Sequence, residues 1–191
     1  MSQSPSKLVV AMAGRVLHIY DTRMLGTSAD SEPWQRRESS LKFMTRAVAC
    51  MPNDAGFASS SIEGRVAVEF YDPSEESQSR KYAFKCHRQV VDNVDVVYPV
   101  NALAFYPKFG TFASGGGDGV VALWDGDSKR RIRQYQKYPQ SIASLSFNHD
   151  GTKLAVASCP GFEDGKDTED PNETRIFIRT LAEGEAKSKA K

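Results

Sequence analysis

Three basic side chains sit where a folded chain could use them. Arg65 follows the Glu63-Gly64 turn, and Lys85 and Arg88 flank His87 at the end of an apolar segment. Cations displayed on turns of a rigid scaffold bind rather than turn over substrate, because loops are where binding residues concentrate. Signals for catalysis are poor by comparison. His18, His87 and His149 are scattered; His18 alternates with Leu17 and Ile19, and His149 lies in an Asn-His-Asp-Gly turn. No His, Cys or carboxylate spacing suggests a metal site. There is also no Gly-x-Ser-x-Gly elbow and no phosphate loop opening a helix. The run Gly115-Gly-Gly-Asp-Gly119 reads as a turn needing positive φ. The sequence therefore calls for no catalytic residue, no metal and no cofactor.

Composition narrows the classes further. Lys+Arg 25 against Asp+Glu 24 leaves a net charge of +1 in 191 residues, which argues against nucleic-acid binding through summed charge. No apolar run is long enough to span a bilayer as a helix, and the first residues carry no apolar core of a secretion signal. Cys50, Cys86 and Cys159 are odd in number and widely spaced, as expected of reduced thiols rather than a disulfide framework.

The elements that must position these cations are repeated. One stretch runs Ala47-Val-Ala-Cys-Met-Pro52, a polar turn, Phe57-Ala-Ser-Ser-Ser61, Glu63-Gly64, then Val66-Ala-Val-Glu-Phe-Tyr-Asp72. A second runs Ala102-Leu-Ala-Phe-Tyr-Pro107, a turn, Phe112-Ala-Ser-Gly115, Asp118-Gly119, then Val120-Val-Ala-Leu-Trp-Asp125. A third follows from Ile142 and closes on Ile176-Phe-Ile-Arg179, and an incomplete copy opens the chain from Leu8 to Asp21. Each is strand, turn, strand, Gly turn, strand, with a more polar fourth strand in two of them: Lys81-Tyr-Ala-Phe-Lys-Cys86 and Arg131-Ile-Arg-Gln-Tyr135. Four short strands per unit and a Trp124-Asp125 ending are the pattern of a WD-repeat β-propeller blade.

The expected fold is thus all-β: antiparallel four-stranded blades, about three and a half of them, in an incomplete ring. The units fall at about 8–41, 45–88, 99–136 and 141–180, with 181–191 expected as a charged, disordered tail. The opening unit is expected to lack its innermost strand and the last unit its fourth. In such repeats a turn Asp, a strand Ser, a Trp and an upstream His form a buried network, which assigns Asp118, Ser114, Trp124 and His87 an architectural role. Turns between second and third strands share a face with the links from fourth strand to next blade. Arg65, Lys85 and Arg88 are therefore expected to converge, beside a loop at 89–98. The segment 160–173 carries six Asp/Glu and receives no role.

Four segments go further: Arg36-Arg-Glu-Ser-Ser-Leu-Lys42, Ser60-Ser-Ile-Glu-Gly-Arg-Val-Ala-Val-Glu69, Lys81-Tyr-Ala-Phe-Lys-Cys-His-Arg88 and Tyr98-Pro-Val-Asn-Ala102. From about Leu8 to Arg179 the chain resembles the Bub-type spindle-assembly-checkpoint family of seven-bladed WD-repeat propellers. The sister family of WD-repeat mRNA-export factors at nuclear pores shares part of these motifs. Tyr98-Pro-Val-Asn-Ala102 and Tyr138-Pro-Gln-Ser-Ile-Ala-Ser-Leu145 look more like the checkpoint member.

The resemblance implies a non-enzymatic scaffold in nucleus, kinetochore and cytoplasm. Its partners would be a checkpoint kinase and that kinase's pseudokinase-like relative, bound through GLEBS peptides, and a phosphorylated kinetochore scaffold, with no nucleic acid and no membrane. A nucleoporin GLEBS motif is the partner implied by the export family. Carried onto this sequence, Arg65, Glu63, Tyr98 and Asn101 would contact the peptide. Lys85 and Arg88 would lie near a phosphothreonine. Tyr20-Asp21 and Tyr71-Asp72 stand where the repeat usually has Trp-Asp.

Overall fold

The computed structural model describes residues 1–26, 32–108, 110–161 and 173–187. The chain folds as an all-β array of antiparallel sheets, each wound in sequence order. The first sheet comprises β1 (Ser2–Gln3), β2 (Lys7–Ala11), β3 (Val16–Asp21) and β4 (Gln35–Glu38). The second comprises β5 (Thr45–Cys50), β6 (Gly56–Ser61), β7 (Arg65–Phe70) and β8 (Tyr82–Lys85). A two-stranded ribbon of β9 (Arg88–Val91) and β10 (Val94–Val97) intervenes. The third sheet holds β11 (Val100–Phe105), β12 (Thr111–Gly116), β13 (Val121–Asp125) and β14 (Arg130–Gln134). In the last sheet the described strands are β15 (Ile142–Phe147), β16 (Lys153–Ser158) and β17 (Arg175–Thr180). The leading strands β1, β5, β11 and β15 lie side by side, so the sheets stack face to face around one side. That is the architecture of a WD-repeat β-propeller.

Alternating side chains explain the stacking, because each strand sends residues to both faces and both faces are covered. Val9, Leu17 and Ile19 of the first sheet meet Cys50, Phe57 and Tyr71 of the second. Ala58, Val66 and Val68 of the second meet Phe112 of the third, with Phe105 and Trp124 beside it. Ala113, Val121 and Leu123 of the third meet Leu145, Leu154 and Val156 of the fourth. Burying a large apolar side chain is worth about 1.5–3 kcal/mol, so these layered contacts carry the fold.

Four expectations are corrected. The opening sheet does have an innermost strand: β1 is short, but Ser2 pairs with Val9 and Gln3 with Leu8. The segment at 89–98 is a ribbon rather than a loop, turned by Asp92 and Asn93 at φ 50° and 61°, the left-handed pair that a two-residue hairpin requires. Of the glycine run, Gly115 and Gly116 are strand residues of β12, and only Gly119 has positive φ. The start of the expected tail is packed: Leu181 and Ala186 are buried against the third and fourth sheets, while 188–191 lie outside the described residues. A short helix, α1 (Glu75–Ser79), also interrupts the second sheet; the Ser74 hydroxyl caps it by accepting from the Ser77 N–H.

Candidate functional site

His87 lies between β8 and β9 and turns the chain into the ribbon. Its φ of 46° is left-handed, a conformation that costs a non-glycine residue about 1–2 kcal/mol. The fold offsets this by using both ring nitrogens. Nδ1 lies 2.9 Å from Asp118 Oδ1 and Nε2 lies 2.8 Å from Ser114 Oγ. Trp124 Nε1–H donates to the same hydroxyl at 2.8 Å. The directions close if Trp124 donates to Ser114, Ser114 to His87 and His87 to Asp118, leaving no polar atom of the relay unpaired. Gly116 makes room for it, since a Cβ there would fall on the His87 ring. Burial pushes the neighbouring Cys86 thiol up to about 12, which makes it an unreactive core residue.

This relay anchors the cations. Gly64, at φ 66°, approaches Cys86 so closely that an added Cβ would lie 2.6 Å from its carbonyl oxygen. The Cys86 N–H donates to the Gly64 carbonyl at 2.9 Å and the Tyr98 N–H to the His87 carbonyl at 2.9 Å. The Glu63-Gly64 turn, the exit of β8 and the foot of the ribbon are thereby tied together. Arg65 and Lys85 are cross-strand partners in β7 and β8. Arg65 Nε sits 3.4 Å from Glu63 Oε1. Arg88 reaches back to donate to the Glu63 carbonyl at 3.2 Å and lies 3.7 Å from Asp95 Oδ2. Its Nε–H is buried with no hydrogen-bond partner.

Lys85 and Arg88 line a cavity of about 300 Å³ with Gln89, Arg131, Gln134 and Lys137. Arg131 and Lys137 come from β14 and the chain beyond it. They were missed in the sequence because nothing marks which cation of a polar fourth strand faces a neighbouring sheet. Such a groove, floored by the His87 relay and walled by four cations, is suited to a multiply charged oxyanion.

Tyr98 and Asn101 do not themselves line that groove. The Tyr98 hydroxyl accepts from Gln89 Nε2 at the ribbon's foot. Asn101 bridges three sheets, its Oδ1 accepting from Arg46 Nε at 2.9 Å and its Nδ2 donating to Ser141 Oγ at 3.1 Å. It lines an open cleft of about 700 Å³ with Arg46, Ile62, Pro99 and Cys159. Arg46 was not singled out from sequence, although it is the lone cation of β5. Among the described residues no group of three or more His, Cys, Asp or Glu could hold a metal ion. The acidic segment at 160–173 lies largely outside the described residues.

Comparison with known proteins agrees with the WD-repeat fold. The family model "WD domain, G-beta repeat" matches residues 80–125. That window runs from the fourth strand of one blade through three strands of the next, and it contains His87, Ser114, Asp118 and Trp124 together. Mitotic checkpoint protein BUB3.1 of Arabidopsis thaliana is 54% identical over 191 residues, covering 100% of this chain and 54% of that protein. Mitotic checkpoint protein bub3 of Dictyostelium discoideum is 47% identical over 95% of this chain and 53% of its own length. Protein RAE1 of Arabidopsis thaliana is 39% identical over 95% of this chain and 50% of its own. The chain spans about half the length of the curated relatives it matches. Along nearly all of its length it is similar to the Bub3-type WD-repeat proteins.

Proposed function

We propose that this chain is part of a non-enzymatic scaffold of the mitotic checkpoint, acting in the nucleus and at kinetochores, whose cationic groove reads a phosphothreonine. GLEBS peptides of a checkpoint kinase and of its pseudokinase-like relative dock beside that groove, with Arg65 facing their acidic residues and Glu63, Tyr98 and Asn101 bordering the track. The observation that carries the reading is the groove itself, which Lys85, Arg88, Arg131 and Lys137 line together. Phosphothreonine brings about −1.5 to −2 charge and three acceptor oxygens, which match such a donor set. Higher identity to the checkpoint relatives than to RAE1 favours this reading over an export adaptor.

The test is fluorescence anisotropy with paired peptides, phosphorylated and not. Arg88→Ala is expected to weaken the phosphopeptide by about 10–100-fold, the worth of one charge-assisted hydrogen bond, and Arg88→Lys by less. Arg65→Ala is expected to weaken an acidic GLEBS peptide and spare the phosphopeptide. Equal binding of phosphorylated and unphosphorylated peptides by the unaltered chain would refute the groove's assignment. Preference for a nucleoporin GLEBS peptide over a kinase one would move the chain to the export reading.

A further inference from the structure

Two neighbouring joints between sheets are built alike, and one of them lacks a ring that the other has. Met51 follows β5 and Tyr106 follows β11, and the two are equivalent. The Met51 N–H donates to the carbonyl of Gly56 and the Tyr106 N–H to that of Thr111, each the first residue of the next strand. A proline follows both, Pro52 and Pro107. Tyr106 fills the joint between the third and fourth sheets. Its ring meets that of Phe147 edge-on, 5.4 Å between centres, and an added Cβ on Gly151 would lie 2.5 Å from it. Met51 enters the joint between the second and third sheets beside Phe105, which ends β11 as Phe147 ends β15. It brings a flexible thioether where the next joint has a phenol.

A cavity of about 320 Å³ lies beside Met51 in that joint. Val68, Phe70, Phe105 and Pro107 complete its apolar wall. The charged residues that line it, Arg80, Lys108 and Asp127, are all exposed, so two cations and one carboxylate stand at its mouth. The Arg80 guanidinium already rests over the Phe70 ring, 4.3 Å from its centre. Both walls belong to internal sheets with a neighbour on each side. The cavity is bordered by the β5–β6 and β13–β14 turns, at the end of these sheets remote from the cationic groove. Its size falls at the lower end of sites that take ligands, about 300–1,000 Å³.

We propose that this cavity is a docking site for an acidic peptide that inserts one aromatic side chain. The inserted ring lies against Met51 and Phe105, doing for this joint what Tyr106 does for the next. A thioether suits that task, because it adapts to the shape of an incoming ring and makes favourable sulfur–aromatic contact. Carboxylates on the flanking residues of the peptide pair with Arg80 and Lys108 at the mouth. A peptide with basic flanks is refused, since the two cations outnumber Asp127 and like charges meet. This inference is independent of the phosphopeptide reading, since none of its residues lines the cationic groove.

Amide NMR of the isotopically labelled 191-residue chain tests it, by titration with three acetylated, amidated peptides. Their sequences are Glu-Glu-Phe-Glu-Glu, Glu-Glu-Ala-Glu-Glu and Lys-Lys-Phe-Lys-Lys. The first is expected to shift the amides of Met51, Ala55, Phe105 and Gly126 and to bind about tenfold or more tighter than either control. One buried ring or one charged contact is worth that much. Met51→Tyr, which supplies the ring from within the chain, is expected to abolish binding while the melting temperature holds or rises. Arg80→Glu, at an exposed position, is expected to weaken binding by about tenfold or more with the fold intact. Equal binding of the alanine peptide, equal binding of the lysine-flanked peptide, no shifts at these amides, or unaltered affinity in either variant would overturn the proposal.

Discussion

Ser114 is the residue on which the candidate site turns. Its hydroxyl is fully buried and serves two partners at once, accepting from Trp124 and facing His87 Nε2. Removing it leaves an indole N–H and an imidazole nitrogen unpaired in a closed space, and each unsatisfied group costs about 1–3 kcal/mol. Ser114→Ala is expected to lower unfolding free energy by about 2–4 kcal/mol in urea titration, two such penalties less partial relaxation. In a Trp124→Phe background the same substitution is expected to cost less, because one stranded donor is already gone, and a double-mutant cycle reads the difference. Weaker phosphopeptide binding should accompany it, since His87 fixes the exit from β8 on which Lys85 and Arg88 stand.

Among the elements, the segment after β17 shows how a charged sequence becomes part of a core. Residues 181–187 fold back so that Thr111 Oγ1–H donates to the Ala186 carbonyl at 2.8 Å. The Glu185 side chain, 4% exposed, accepts from the Tyr135 hydroxyl at 2.8 Å and lies 3.4 Å from Arg133 and 3.7 Å from Arg179. Burial acts to raise the Glu185 carboxyl. The Ala182 N–H, the Tyr135 hydroxyl and the two guanidinium groups outweigh it and hold it below the usual carboxylate range. A depressed carboxylate adds stability above its unfolded-state value and loses it as pH falls through the folded one. The clasp is therefore expected to be intact at neutral pH and to loosen as pH drops below about 4.3, the ordinary value for Glu. Amide exchange at 181–187 should accelerate there before the sheets do, and Glu185→Gln should remove most of that pH dependence.

At the scale of the whole molecule, stability is shared along a row of joints between sheets. The joint between the second and third sheets is aromatic: Phe84 lies 4.6 Å from Trp124 and 6.4 Å from Phe112, ring centre to ring centre, and Phe105 lies 5.2 Å from Phe112. Phe112 is fully buried at its centre. Phe112→Ala is expected to cost about 3–5 kcal/mol, enough to unseat that joint. Thermal unfolding should then split into two transitions, because sheets that communicate only through neighbours lose cooperativity where one interface fails.

The repeat was legible because its signals are local. Period-two alternation, Gly turns and the Trp124-Asp125 ending are written in adjacent residues, so strands and their antiparallel order followed from spacing, and the His87 relay followed from the WD-repeat pattern they spell. The ribbon at 88–97 was legible in principle, since Asp92-Asn93 between valine runs is a left-handed turn pair, but its polar neighbours mimic a loop. Other features had no local mark. Gly115 and Gly116 are glycines because Ile142 and His87 approach them from elsewhere in the chain, not because the backbone turns there. Leu181, Glu185 and Ala186 read as tail until the third sheet offers Tyr135 and Thr111 as partners. Arg131 and Lys137 join Lys85 and Arg88 only because the packing of the second and third sheets brings them onto one cavity. The local code determined the fold and its architectural residues; which cations share a groove and which tail residues join the core was decided by contacts that exist only once the sheets have stacked.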